Sequence, residues 1–416
     1  MRSTITLRLR IAHLCIALTP AAHGCTNGAA TDTAKNGNPH ANESIGTVRQ
    51  MYDGQLTPSL AMSTFRNIDR LFPTRTVIHK SSPYPLLPAP TALRNIAFKS
   101  EGSEYTLEDY ISLNRVSGLL VLKNGRIAFE RYALGNGPRT RWMSMSIAKS
   151  ITSTLVGAAL KDGKIGSIDD LVTKYVPRLV GSAYDGVTVR QLLTMTSGVR
   201  WNETYTDPAS DRRRLLDVQL AQQPGGAVEF MRTLQRGAAP GTVHNYSTGE
   251  TGILGAVVSG AVGKSLSQYL SDKIWSVYGM ETDATWWLDS PDGHEIAGSG
   301  FSATLRDYGR FGLFVLQGGV IGGQNILPDG WTIEAARPTT LPSGYRVGYG
   351  YMWWPVNPPS DSTDVAFSAI GIFGQALYID PREQLVIVQW SAHTKPAGGQ
   401  IVNSEDAFRA VAAALH

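Results

Sequence analysis

Cysteine is almost absent from this 416-residue chain: Cys15 and Cys25 are the only two, and nothing after residue 25 carries a thiol. That excludes a cysteine nucleophile, a cysteine-ligated metal and an internal disulfide core in the body of the protein. The eight histidines are scattered, and no HExxH or comparable ligand spacing occurs, which argues against a zinc hydrolase. A G-x-S-x-G elbow is also missing, so the α/β-hydrolase way of presenting a serine is disfavoured. Charged residues make up only 17% against 42% hydrophobic, which rules out a disordered chain. The net charge of +4 is spread along the chain without a basic stripe, so no nucleic-acid partner is expected. No apolar run reaches the roughly 18 residues that a membrane-spanning helix needs.

The first 25 residues have the pattern of an export leader. Arg2, Arg8 and Arg10 precede a short apolar stretch over 11–18, and Ala22-His23-Gly24-Cys25 is similar to a lipoprotein cleavage box. An exported protein, periplasmic or held at the envelope through lipidated Cys25, is one reading; a cytoplasmic enzyme with an extended start is the other. Residues 26–45 are rich in Thr, Asn, Gly and Ala and read as a tether. Residues 46–100, with Pro73, Pro83, Pro85, Pro88 and Pro90, read as an extended arm. The ordered domain is expected over 101–416.

Within that domain, β-rich runs over 116–122 and 126–132 flank Lys123-Asn124-Gly125, a hairpin signal. A similar pair, 376–380 and 385–391, lies near the other end, and a helix over 405–415 closes the chain. The middle is largely helical. Strands at both ends with helices between them predict an α/β (α+β) fold: one antiparallel sheet flanked by helices, beside a helical subdomain.

Ser146-Ile147-Ala148-Lys149 holds the chemistry. Among eleven lysines only Lys149 has a serine three residues earlier, although chance alone gives on the order of one such pair. On a helix over 146–160, Ile147, Ile151, Leu155 and Ala158 share an apolar face, and Ser146, Lys149, Ser150 and Ser153 form a polar stripe. A serine hydroxyl needs a base to become nucleophilic. Burial and the positive end of the helix dipole both disfavour an ammonium, so Lys149 is placed to act as that base.

The pattern resembles the serine β-lactamase and penicillin-binding-protein superfamily, whose first motif is SxxK. The segment 190–198, ending Thr196-Ser197-Gly198, is similar to that family's LLxxTSG. Tyr246-Ser247-Thr248 falls where its Tyr-x-Asn motif stands, and Ala369-Ile370-Gly371 where its Lys/His-Thr/Ser-Gly motif lies. The nearest likeness is to the branch of 6-aminohexanoate-dimer hydrolases and related carboxylesterases, carried by 144–150, 194–199 and 371–375. The resemblance implies Ser146 as nucleophile, Lys149 as its base, Tyr246 as general acid/base, and the N–H groups of Ser146 and Ile372 as oxyanion hole. It further implies substrate contacts from Gly371 and from Tyr205, whose segment forms a cleft loop in that branch. No metal or cofactor is implied. Thr248 replaces the family's Asn, and Ala369 and Ile370 supply no cation for a substrate carboxylate. The implied function is therefore ester or linear-amide hydrolysis through an acyl-enzyme on a small molecule. The alternatives are a β-lactamase or D,D-carboxypeptidase, and a non-catalytic envelope lipoprotein. Arg212-Arg213-Arg214 reads as a solvated face and Asp307 as structural; the pairs Trp286-Trp287 and Trp353-Trp354 read either as lining of an apolar acyl pocket or, as is commoner for such pairs, as core.

Overall fold

A computed structural model describes residues 38–356 and 365–416; the leader over 1–25, including Cys25, and residues 26–37 of the tether lie outside them. Strands Val116–Lys123 and Arg126–Tyr132 pair antiparallel. The turn between them holds Asn124 at φ 50° and Gly125 at φ 74°, the left-handed pair such a tight hairpin needs. Gln375–Asp380 and Leu385–Ser391 form the second hairpin, and the latter strand pairs with Val116–Lys123. The two ends of the chain thus meet in one antiparallel sheet. Its order is Trp354–Pro355, Phe367–Gly371, Gln375–Asp380, Leu385–Ser391, Val116–Lys123, Arg126–Tyr132.

Both faces of this sheet are covered, which is why 119–122 reads as an unbroken apolar run. Leu120, Leu122, Val386 and Val388 belong to the core on one side, where helix Leu305–Leu316 packs. Leu119, Val121, Leu385 and Ile387 belong to the other, with helices Leu107–Leu113 and Ser404–Ala414. Helix Leu305–Leu316 comes close because Gly309 and Gly312 face the strands. A Cβ there would lie 2.6 Å from Leu120 and 2.5 Å from Val386.

The helix Ile147–Lys161 is buried almost throughout, its polar stripe included. Ser150 and Ser153 donate to the carbonyls of Met352 and Tyr351, both at 2.6 Å. Two expectations need correction. Residues 46–100 are not an extended arm. They contain helices Val48–Tyr52 and Pro58–Phe65 and a strand, Thr74–Val77, that joins a second, four-stranded antiparallel sheet. The compact unit accordingly begins at Asn38 rather than near residue 101. Helices this short are set by packing and capping, here by Thr47 and Thr57, rather than by a periodic apolar stripe. Finally, Arg212 and Arg213 are 2% and 5% exposed; only Arg214 faces solvent. Arg212 lies over the Tyr52 ring and bonds its hydroxyl, and Arg213 pairs with Asp53 at 2.7 Å. The N-terminal segment supplies these partners, and reading 46–100 as an arm hides them.

The helical subdomain is built around Thr248–Val262, against which Ile147–Lys161, Val189–Leu193 and Gly226–Thr233 pack. Helix Ile147–Lys161 also touches the end of strand Phe367–Gly371. Its N-terminus therefore sits where sheet and subdomain meet.

Candidate active site

Ser146 is the N-cap of helix Ile147–Lys161, and its side chain makes no capping bond, so Oγ is available. Met145 before it is held at φ 43°, an uncommon conformation for a non-glycine residue and one that clusters at functional sites. This turn is braced from the sheet: a Cβ on Gly371 would lie 2.5 Å from the Ser144 carbonyl and 3.1 Å from Met145 Cβ. Gly371 is thus demanded by close packing against the serine's own turn, and it also borders the cleft. The chain then reverses through Ile372, Phe373 (φ 66°) and Gly374 (φ 88°). Gln375 fixes that reversal, donating to the carbonyls of Phe373 and Ser391 and accepting from the Trp142 indole.

One turn along the helix, Lys149 is 1% exposed. Its Nζ donates to Ser146 Oγ at 2.9 Å, Thr248 Oγ1 at 3.0 Å and the Gly298 carbonyl at 3.0 Å. Burial pushes its pKa down to about 7, against the nearby Glu203 carboxylate, which raises it. An appreciable fraction of free amine then exists at neutral pH.

Tyr246 reaches the same serine from the segment 238–247. That segment is anchored on the Thr194–Gly198 turn: Gly241 N–H donates to the Thr196 carbonyl at 2.7 Å and Asn245 N–H to that of Met195 at 2.9 Å. Gly198, at φ 77°, approaches Ala238 so closely that a Cβ would lie 2.2 Å from its carbonyl oxygen. Tyr246 and Ser146 border the same cleft, and Lys149 Nζ stands 5.2 Å from the Tyr246 ring centroid. Burial and then Glu203 push the phenol above its ordinary pKa, outweighing Arg212. The phenol keeps its proton at neutral pH. It is a donor, not the phenolate that a base would require.

A cleft of about 420 Å³ opens over these groups. Ser146, Tyr205, Tyr246, Gly371 and Ile372 all border it, while Lys149 lies beneath. Tyr205 is half-buried, its carbonyl held by Arg213 at 3.1 Å. Trp354 stacks on Tyr246 with ring centroids 5.7 Å apart and forms part of the wall, so the lining reading holds for this tryptophan. Trp286, Trp287 and Trp353 are core. Asp307 is structural, accepting from Thr304, the Glu281 and Thr282 N–H groups and Arg310.

Sequence reasoning passed over Glu203, Thr248 as a partner of Lys149, and Gly298. A single acid in a polar loop has no period or spacing to mark it. Its position two residues before Tyr205 was the only available signal.

The Beta-lactamase family model matches residues 114–412. A 6-aminohexanoate-dimer hydrolase of Paenarthrobacter ureafaciens is 32% identical over 346 residues, covering 80% of this chain and 85% of that protein. A β-lactamase of Escherichia coli (strain K12) is 23% identical over 280 residues, 61% of this chain and 68% of that one. In three dimensions, a Bacillus anthracis protein provisionally described as a 6-aminohexanoate-dimer hydrolase superposes with a TM-score of 0.75. That match covers 90% of this chain and 97% of the other at 23% identity, and it establishes the shared fold. The chain belongs to the β-lactamase family.

Proposed function

We propose that the protein is a serine hydrolase that cleaves esters or linear amides through an acyl-enzyme on Ser146. The observation that carries this is the buried Lys149 amine 2.9 Å from an uncapped Ser146 hydroxyl at the mouth of a cleft. Lys149 as free amine takes the Ser146 proton while Oγ attacks the acyl carbon. The negative charge that develops on the carbonyl oxygen meets the N–H groups of Ser146 and Ile372. Neither N–H is used in a turn or loop hydrogen bond. Tyr246 gives its proton to the departing oxygen or nitrogen, and the proton on Lys149 passes back to Tyr246. Water then attacks the ester, losing a proton to the regenerated amine, and Ser146 leaves with that proton. Burial lowering one group and raising the other is the pattern that separates a base from an acid.

The cleft wall supports an acyl group without charge. Trp354, Ile370, Ile372 and Phe373 line it, and among the described residues bordering it there is no Lys, Arg, Asp or Glu. His393 is the one basic side chain there; it is buried, its pKa is lowered by that burial, and Nε2 bonds the Asn114 carbonyl. Short esters fit such a cleft; the 6-aminohexanoate dimer named for the Paenarthrobacter relative is a linear amide whose charges lie at its two ends, each five methylenes from the scissile amide, and it tests how far the cleft accepts charged termini. The test is a panel of p-nitrophenyl esters, 6-aminohexanoate dimer, nitrocefin and a D-Ala-D-Ala peptide, run with fluorophosphonate labelling. Esters are expected to turn over fastest. Nitrocefin cleaved as efficiently as the best ester, or no labelling of Ser146, overturns the reading.

The leader pattern supports a further part of the proposal, export with attachment through Cys25. Cys25→Ser is expected to move the protein out of the membrane fraction. Full-length chain in the cytosol counts against both.

A further inference from the structure

Lys149 faces three acceptors, and an ammonium can serve all three. As a free amine it has two N–H groups and one lone pair, so one contact must reverse. Which one reverses decides whether the base faces its nucleophile. The Gly298 carbonyl can only accept. A threonine hydroxyl can do either, having one hydrogen and two lone pairs. At Thr248 that hydrogen is already committed, because Oγ1 sits against Glu203 Oε1 and a carboxylate has no hydrogen to give. The other carboxylate oxygen accepts the Thr248 N–H at 2.9 Å and the Trp201 indole N–H. Thr248 therefore offers Lys149 lone pairs alone. Among these three contacts Ser146 is the one partner left with a hydrogen to donate.

We propose that Glu203 is a positioning residue of this hydrolase: through the Thr248 hydroxyl it turns the lone pair of neutral Lys149 toward Ser146, and it offsets the charge of the ammonium formed when the proton arrives. The inference rests on the Ser146–Lys149 reading above. Around the amine stand Ser146 on its own turn, Thr248 and the Tyr246 ring from the neighbouring segment, and beyond them Glu203 and Arg212. Arg212 is itself held on Tyr52, and Tyr205 and Tyr349 also lie within the field of Glu203. Burial lowers the Lys149 pKa first, Glu203 raises it and Arg212 lowers it.

The test is the pH–rate profile of p-nitrophenyl acetate hydrolysis by the full chain and by Glu203→Gln, Thr248→Val and Thr248→Ser. In Glu203→Gln the amide can donate to Thr248, which releases the threonine hydrogen to occupy the Lys149 lone pair. With the negative charge gone, the acid limb of kcat/KM is expected to move to lower pH. The plateau kcat is expected to fall on the order of 10²-fold, a general-base-sized loss, with KM little changed. Thr248→Val keeps the charge, so it should lose kcat with a smaller shift of the limb. Thr248→Ser should recover kcat to within about threefold, which a purely structural role for the methyl group would not give. Should Glu203→Gln fail to fold, the Val and Ser pair decides alone. An unmoved limb with kcat within about twofold in both Glu203→Gln and Thr248→Val overturns the inference while leaving the hydrolase reading in place. A wild-type protein that neither labels nor turns over sinks that reading itself.

Discussion

On the local side of the site, Ser146 and Lys149 lie a single helical turn apart in one element. On its assembled side, Glu203, Arg212 and Thr248 come from a loop and two different helices. The first pair is held by local geometry, since residues three apart on a helix are neighbours whatever the rest of the chain does. The second group exists only because the subdomain has folded and the N-terminal segment has packed against it. Reactive groups can therefore be local while the groups that set their charge and direction are not. Substitutions on the two sides should break the site differently: on the local side through the chemical step, on the assembled side through pKa, orientation or loop order.

The largest effect belongs to the nucleophile. Ser146→Ala should abolish fluorophosphonate labelling and reduce turnover on the order of 10⁴-fold or more. Stability should stay nearly unchanged, because the side chain caps nothing and borders open space. Labelling retained in the variant would falsify the assignment.

Next come Lys149 and Tyr246. If they act as one proton-transfer unit, Lys149→Ala and Tyr246→Phe should each remove most of the rate, and the double variant little more. The acid limb carries the sign: kcat/KM should rise with pH through about 7, as Lys149 loses its proton. Tyr246 is shifted upward, so no descending limb from it is expected below about pH 10, its ordinary range. Tyr246→Phe should also harm amides more than p-nitrophenyl esters, whose leaving group needs no proton. A second rising limb that disappears in Tyr246→Phe would show the phenolate acting as a base instead.

The same contrast explains what could be read in advance. The two hairpins, the closing helix and the Ser146 helix are carried by short-range signals: Asn-Gly in a turn, apolar periodicity, Asp162-Gly163 after the last turn. Tyr246 was legible because Pro240-Gly241 and Ser247-Thr248 flank it at a family spacing. The roles of Arg212, Arg213 and Glu203 were not, because a charged residue looks solvated until its partner is known. For Arg213 that partner, Asp53, lies 160 positions away in a stretch whose prolines suggested extended chain. Strand periodicity also corrects a detail of the third motif. Ala369 is 1% exposed and inside the sheet, whereas Ile370, one residue on, is 45% exposed and faces the cleft.

That alternation decides where a substrate-class test belongs. A cation meant to hold a β-lactam or peptide carboxylate belongs at 370, not at 369, where a lysine would be forced into the core. Ile370→Lys should raise nitrocefin acylation relative to ester hydrolysis, about tenfold in the ratio of kcat/KM for one charge-assisted contact. Ile370→Leu should leave the ratio unchanged. A ratio unmoved by the lysine would mean that the missing cation is not what excludes such substrates.

The smallest effect is expected at Arg213, where the assembled side can be loosened without touching the reactive groups. Its guanidinium joins Asp53 at 2.7 Å to the Tyr205 carbonyl at 3.1 Å, bridging the N-terminal segment to the cleft loop. Asp53 is 31% exposed on its side chain, so the pair is only partly desolvated, and its loss should cost about 1 kcal/mol of stability. Arg213→Met retains the aliphatic stem and removes the bridge. Tyr205 would then be less firmly placed, so KM for 6-aminohexanoate dimer should rise a few-fold while kcat for p-nitrophenyl acetate, which hardly reaches that loop, stays the same. Asp53→Asn should reproduce a weaker form of the same change, because it alters one end of the bridge and keeps the other. The measurement is KM and kcat for both substrates in both variants, with thermal melting as the check on folding. If Arg213→Met lowered kcat for the small ester as strongly as it raised KM for the dimer, loop and reactive groups would be a single unit, and the division between the local and the assembled groups would fail.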